Sequence, residues 1–138
     1  MGRLRTGEFS LYAGSDSKVG EMGMVRLRDG YAVVGHSTHS EVPRLYVKVV
    51  DSWQEGGNWG GYLQVTRGDY VGYYIDSKDG WVAAYSGKYD PVTFVDKGDY
   101  YEIRQKRDLN GSALIIQDNK LRFRPQTPGQ WSIFDVSG

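Results

Sequence analysis

The 138-residue chain contains no cysteine and only two histidines. The absence of cysteine excludes a disulfide framework, a cysteine nucleophile and any metal site built on thiolates. An excess of charge of one sign is also missing, because 17 Lys and Arg residues are balanced by 17 Asp and Glu residues. This balance argues against a dedicated nucleic-acid-binding protein, whose affinity comes mostly from neutralised phosphates. The length suits a single domain, which we expect to span residues 1–138.

The sequence also lacks long apolar segments. No apolar run approaches the roughly 20 residues that span a bilayer, so we expect no transmembrane segment. The first ten residues, MGRLRTGEFS, lack the apolar stretch of a secretory signal peptide. These features predict a cytoplasmic protein, with release from the cell as the alternative.

Glycine and aromatic residues are abundant instead, with 19 glycines, 11 tyrosines and 14% aromatic residues. This composition favours short strands joined by tight turns. Alternation of apolar and polar residues between turn signals predicts twelve strands, at 9–13, 24–28, 31–36, 44–50, 61–66, 70–75, 81–86, 92–97, 100–105, 112–117, 121–125 and 131–136. Three joins carry pairs that tolerate a positive φ, namely Asp29-Gly30, Asp79-Gly80 and Asp118-Asn119. The sequence therefore predicts an all-β protein.

The twelve strands group into three pseudo-repeats, at about 9–50, 61–97 and 100–136. Each repeat has a hairpin, a polar loop and a closing strand. One unit of about 40 residues cannot bury its own apolar face, whereas three units around a pseudo-threefold axis can close a barrel. The segment 51–60, DSWQEGGNWG, interrupts the repeat pattern and is predicted to be an extra loop.

By this repeat layout the chain resembles the β-trefoil superfamily of ricin-B-type and fungal-type lectins. The resemblance implies a β-trefoil of twelve short strands in three pseudo-repeats. The Gln-any-Trp signature of ricin-type repeats is missing, since Gln130 directly precedes Trp131. The alternative is an up-and-down β-barrel of the avidin or lipocalin type, which the hairpin sequence YVGYYIDSKDGWVAAYSGKYD also suggests.

Catalysis and metal binding have little support. His36 and His39 are the only side chains with an ordinary pKa near neutrality, and both lie in the segment GHSTHSE. A catalytic triad converges from separated loops and needs an oxyanion hole, and two imidazoles do not make a closed zinc site. We therefore predict a protein that is not an enzyme and has no catalytic residues, no metal and no cofactor.

Aromatic residues crowd the middle third of the chain, and Asp, Asn and Gln lie among them. Such surfaces suit sugars, because a ring stacks on C–H groups while carboxylates and amides hydrogen-bond hydroxyl groups. Trp53 and Trp59 lie in the expected extra loop, where they would form a second wall or a separate contact. The alternative is that these rings fill the barrel.

The resemblance to β-trefoil lectins places the ligand in a shallow pocket of one unit, with an aromatic floor near the end of the third strand. In unit two, this position is Tyr85, and Lys88, Tyr89 and Asp90 form the following loop. Tyr85 would stack on the glycan, while Asp90 and Asp76 would accept hydrogen bonds from hydroxyl groups. We expect weak sites that act through a homo-oligomer or through several sites.

The predicted function is therefore a non-catalytic lectin whose partners are glycans or glycoproteins. The alternatives are a protease inhibitor of the trefoil type and a receptor-binding or toxin-associated module.

A cluster of basic residues also lies in unit three, where Arg104, Lys106 and Arg107 are followed by Lys120, Arg122 and Arg124. It could hold an anionic group, but a solvated polar face with alternating Arg on a strand is the favoured interpretation.

Overall fold

The computed structural model describes residues 7–13, 22–27, 30–35, 45–78, 81–117, 120–125 and 131–135. Twelve strands lie within these ranges: β1 (Phe9–Ala13), β2 (Met22–Leu27), β3 (Gly30–Gly35), β4 (Tyr46–Glu55), β5 (Asn58–Val65), β6 (Tyr74–Lys78), β7 (Trp81–Tyr85), β8 (Val92–Asp96), β9 (Tyr101–Gln105), β10 (Ala113–Gln117), β11 (Lys120–Arg124) and β12 (Trp131–Asp135). Each of the twelve predicted strands overlaps one of these. Within the described residues, the chain contains no helix of the length and apolar character needed to cross a membrane.

Three antiparallel hairpins occupy the positions that the turn signals predict. They pair β2 with β3, β6 with β7, and β10 with β11. The two residues between the strands of each hairpin lie outside the described ranges. Short connections rich in Asp, Asn and Gly favour such hairpins because these residues tolerate a positive φ.

The remaining strands close into a ring in which every pairing is antiparallel. Going round it, β1 pairs with β4, β4 with β5, β5 with β8, β8 with β9, β9 with β12, and β12 with β1. The hairpins also pair with one another through β3–β7, β7–β11 and β11–β3. A barrel satisfies the backbone groups that open sheet edges would leave unpaired.

These pairings confirm the prediction of an all-β protein. Additional ladders close a circuit of seven strands, β5, β6, β7, β11, β10, β9 and β8. We therefore describe the fold as a closed antiparallel β-barrel. This description replaces the β-trefoil assignment and agrees with the barrel closure that the alternative prediction named.

The segment 51–60 is a hairpin, and the prediction of an extra loop there is wrong. β4 and β5 pair as far as Glu55 and Asn58, with a register shift between Val50 and Trp53. Gly56 makes the turn with a φ of 61°. The glycines that suggested a loop serve close packing instead, since a Cβ atom on Gly60 would clash with the carbonyl oxygen of Val92.

The barrel is filled by side chains from the alternating inward positions of its strands. Trp59 is fully buried, and its ring stacks on Phe94 at a centroid distance of 4.0 Å. The ring of Phe9 packs edge-on against both. Leu63 and Val65 continue the same inward face of β5, as their alternation predicts. This aromatic core fixes the junction between β5 and β8.

Candidate functional site

A surface pocket of about 360 Å³ lies where β6 and β7 meet the segment after β7. Asp76, Ser77, Tyr85 and Tyr89 line it, and we call it the tyrosine pocket. Asp76 and Ser77 belong to β6, whereas Tyr85 is the last residue of β7. The β6–β7 ladder, which pairs Asp76 with Ala83, holds the polar floor and the aromatic wall in register.

Asp76 is the polar centre of the tyrosine pocket, and only 5% of the residue is exposed. One carboxylate oxygen accepts a hydrogen bond from the backbone N–H of Asp90 at 2.9 Å, and the other accepts from the backbone N–H of Ser77. Burial raises the pKa of Asp76, and these two hydrogen bonds oppose the increase. The carboxyl group is thus available both to orient the loop and to accept a hydrogen bond from a ligand hydroxyl.

Ser77 is anchored by the neighbouring strand β9. Its hydroxyl oxygen accepts a hydrogen bond of 2.7 Å from the side-chain amide of Gln105. Gln105 is itself held in the barrel, because its backbone pairs with Val92 of β8. The floor of the tyrosine pocket is therefore tied to the barrel and does not depend on the loop alone.

Two tyrosine rings form a right-angled corner in the tyrosine pocket. The centroids of Tyr85 and Tyr89 lie 6.3 Å apart, and their planes are inclined at 88°. Tyr85 is half-buried, whereas 67% of Tyr89 is exposed. An exposed ring next to a buried carboxylate offers a C–H contact surface beside a hydrogen-bond acceptor.

Gly87 sets the position of the exposed ring. A Cβ atom built on Gly87 would lie 2.8 Å from the hydroxyl end of Tyr89, which is closer than such contacts allow. The ring of Tyr89 therefore lies directly against the glycine backbone. Sequence reasoning missed this support, because the close approach of the Tyr89 ring to Gly87 depends on the conformation of the loop.

Lys88 is directed to a different part of the surface. Its ammonium group forms an ion pair with Asp51 and lies 4.8 Å from the ring centroid of Tyr62. The hydrogen bond with Asp51 raises the pKa of Lys88. Lys88 thus connects the loop after β7 to the β4–β5 hairpin and does not line the tyrosine pocket.

The two tryptophans that the sequence places in one loop have separate environments. Trp59 is part of the core, so it is not retained as a ligand-binding candidate. Trp53 is half-buried in β4, and its ring lies 4.6 Å from the guanidinium carbon of Arg107. The structure therefore gathers Tyr85, Tyr89, Asp76 and the backbone of Asp90, and it separates both tryptophans from them.

The two histidines that the sequence offers as neutral-pH bases or metal ligands, His36 and His39, lie outside the described residues. Within the described part of the chain, no three His, Asp or Glu side chains cluster in a way that could hold a metal ion.

Comparison with protein-family models and with curated proteins finds no match. Among solved structures, the chain is similar to the lysenin pore, with a TM-score of 0.67 and 14% sequence identity. The similarity covers 98% of this chain and 48% of the lysenin chain, so this chain spans about half the length of that protein. At this identity, the similarity establishes a shared fold.

This similarity corrects the recognition drawn from the repeat layout. The solved structure that matches nearly the whole chain is a pore protein, and not a ricin-B-type or fungal-type lectin. The three pseudo-repeats did identify an all-β chain of short hairpins. They did not carry residues specific enough to assign a lectin family.

Proposed function

We propose that the chain is a non-catalytic recognition module of the receptor-binding, toxin-associated kind, which holds a sugar residue of its receptor in the tyrosine pocket. The observation that carries the proposal is the corner of Tyr85 and Tyr89 above the buried carboxylate of Asp76. The similarity to the lysenin pore favours a module of this kind over a free-standing lectin. Pore formation itself is not part of the proposal, because this chain spans only about half of the lysenin chain.

The pocket chemistry fits one ring of a glycan. The Tyr85 and Tyr89 rings offer two apolar surfaces at right angles for sugar C–H groups. Asp76 accepts a hydrogen bond from a ligand hydroxyl, and its burial strengthens such a bond relative to one in water. A volume of about 360 Å³ is at the lower end of small-molecule sites.

The expected affinity of one site is weak, with a dissociation constant of about 0.1–1 mM, because a shallow pocket recovers little beyond its desolvation cost. Binding to a surface that displays many receptor glycans then depends on avidity. We propose that a homo-oligomer supplies this avidity. Light scattering of the purified chain measures the oligomeric state directly.

The test is binding of the labelled chain to a glycan array and to glycoprotein-coated surfaces. Tyr85→Ala removes the half-buried ring, and we expect at least a tenfold loss of signal on the array. Gly87→Ala keeps both tyrosines but forces the Tyr89 ring away from its place, so it should weaken binding as well. Unchanged thermal unfolding of each variant separates loss of the site from loss of the fold.

Tyr100→Ala is the matched control. Tyr100 is also partly exposed, but it lies in the turn between β8 and β9, at the end of that hairpin away from Ser77 and Gln105. The control should bind as the unmodified chain does. Full binding by a folded Tyr85→Ala protein, or equal losses in Tyr85→Ala and Tyr100→Ala, would contradict the proposal.

The protease-inhibitor alternative stays a prediction. An inhibitor of this kind presents a protruding loop to the protease, and one segment that could do so, 36–43, lies outside the described residues. The other candidate segment, 51–60, is a paired hairpin and not a free loop. An inhibition assay with serine and cysteine proteases tests this alternative separately from glycan binding.

A further inference from the structure

A second pocket lies between the β4–β5 hairpin and the loop after β9. It has a volume of about 160 Å³, and its walls include Trp53, Glu55, Arg107, Asp108 and Leu109. We call it the hairpin pocket. Among the residues that the structure describes, the two pockets share no lining residue. Leu109 is 52% exposed, which leaves an apolar edge at the pocket mouth.

Arg107 is oriented by an aromatic ring and neutralised by an exposed carboxylate. Its guanidinium carbon lies 4.6 Å from the ring centroid of Trp53, within the range of a cation–π contact. It also forms an ion pair with Glu55, whose side chain is 65% exposed. Exposed ion pairs contribute little to stability, so a ligand carboxylate can replace Glu55 at small cost. The guanidinium group itself stays in position because the Trp53 ring supports it.

The backbone on both sides of the hairpin pocket is strained. Among the described residues, two non-glycine residues have a positive φ, namely Asp51 at 51° and Lys106 at 63°. Asp51 is two residues before Trp53, and Lys106 directly precedes Arg107. The hydroxyl of Thr93 donates a hydrogen bond of 2.7 Å to the carbonyl of Lys106 and so holds the strained turn. Residues held at a positive φ cluster at functional sites, and here each is close in sequence to a residue that lines the pocket.

We infer that the hairpin pocket binds a carboxylate-bearing saccharide, whose carboxylate displaces Glu55 from Arg107. The fork of the guanidinium group matches a carboxylate in two parallel hydrogen bonds. Asp108, in the same pocket, accepts hydrogen bonds from sugar hydroxyls, while Trp53 and Leu109 contact the C–H face. The volume of about 160 Å³ is below that of sites that enclose a small molecule, so the hairpin pocket holds the carboxylate end of one sugar unit and leaves the rest exposed.

A saccharide is favoured over an acidic peptide by the second carboxylate in the pocket. Asp108 repels an additional peptide carboxylate, whereas it is a partner for the hydroxyl groups of a sugar. The inference does not depend on the tyrosine pocket, because none of its residues lies there. Substitutions at Tyr85 therefore test the proposed function, and substitutions at Arg107 test this inference.

The experiment is a titration of the full chain with glucuronic acid, with glucose as the uncharged counterpart, followed by the NMR signal of the Trp53 indole, which reports on the hairpin pocket. We expect glucuronic acid to bind about two- to fivefold more tightly than glucose, because an exposed ion pair contributes little. Arg107→Ala should abolish this preference. Glu55→Gln should strengthen binding by about two- to fivefold, because the competing internal carboxylate is removed.

Arg67→Ala is the matched control, since Arg67 is also about half exposed, paired with a glutamate and stacked on an aromatic ring. It should retain the preference for glucuronic acid. Equal affinity for glucuronic acid and glucose, or no binding of either sugar at about 10 mM, would overturn the inference. Tighter binding of a glutamate-containing tetrapeptide than of glucuronic acid would also overturn it, as would an Arg107→Ala protein that binds like the unmodified chain.

Discussion

The backbone N–H of Asp90 donates a 2.9 Å hydrogen bond to the buried carboxylate of Asp76. This single contact joins β6 to the segment that carries the exposed ring of Tyr89. Asp76 therefore serves the candidate site in two ways, because it holds the loop and also lines the tyrosine pocket. Asp90 serves through its backbone, whereas the sequence suggested a role for its side chain.

The first prediction concerns this contact. Asp76→Ala removes the acceptor of two backbone N–H groups, on Ser77 and Asp90, in a buried setting. Leaving a buried donor without its partner costs about 1–3 kcal/mol, so the free energy of unfolding should fall by about that amount. Urea denaturation at neutral pH measures the change.

Asp90→Ala is the control for this prediction, because it keeps the backbone N–H that Asp76 accepts. It should change the unfolding free energy by no more than about 0.5 kcal/mol, as surface substitutions usually do. Equal destabilisation by Asp76→Ala and Asp90→Ala would show that the Asp90 side chain, and not its backbone, holds the loop.

The second prediction concerns acid stability. The carboxylate of Glu8 accepts hydrogen bonds from the side chains of Arg67 and Thr66, and these lower its pKa from the ordinary value of 4.5. A lowered pKa means that Glu8 stabilises the fold above about pH 4.5, and this stabilisation is lost as the pH falls through the lowered pKa. Glu8→Gln should therefore lower the melting temperature at pH 7 and have a much smaller effect near pH 2.

Asp76 acts in the opposite direction, since its pKa is raised by burial and its ionisation opposes folding as the pH rises. Asp76 is present in both Glu8→Gln and the unmodified chain. Its contribution therefore cancels when the melting temperatures of the two proteins are compared at each pH. If the difference in melting temperature between the two proteins stays constant from pH 7 to pH 2, the ionisation of Glu8 does not contribute to stability.

The third prediction separates the two tryptophans. Trp59 is fully buried against Phe94, so Trp59→Ala leaves a large cavity and should cost about 3–5 kcal/mol of unfolding free energy. Trp53 is only half-buried, and Trp53→Ala should cost clearly less. Urea denaturation of the two variants compares them directly. Similar costs for both would mean that the hairpin pocket is as important for the fold as the core is.

The environment of Trp59 shows what sequence alternation can and cannot predict. The alternation of apolar and polar residues in β5 predicts that Leu63 and Val65 point inward, and extending the same period backwards reaches Gly61 and Trp59, which are also buried. The glycines near Trp59 obscured this signal, because glycine usually marks a loop. Here Gly60 allows the close approach of β8, and Gly61 allows the close approach of β4, two requirements that only the strand pairings reveal.

The candidate site could be predicted only in part, because some of its contacts join residues close in sequence and others join distant residues. Local order along the chain suffices to place Tyr85 and Tyr89 near each other, because one ends β7 and the other follows four residues later. The hairpin register then brings Asp76 to them. The partners of Lys88 and Trp53 could not be predicted, since Asp51 and Arg107 are 37 and 54 positions away in sequence and meet them only in the closed barrel.

The last prediction concerns the glycines of the β4–β5 hairpin. A Cβ atom on Gly60 would clash with the carbonyl oxygen of Val92 and would lie 2.6 Å from the Trp53 ring. The carbonyl belongs to the paired strand β8 and cannot rotate away, so Gly60→Ala should cost at least about 1–3 kcal/mol of unfolding free energy. Gly57→Ala is the control, because a Cβ atom there makes only ordinary contacts at 3.7 Å with Asp96. Thermal and urea unfolding of both variants decides the point, and equal stability of the two proteins would refute the close approach of β5 to β8.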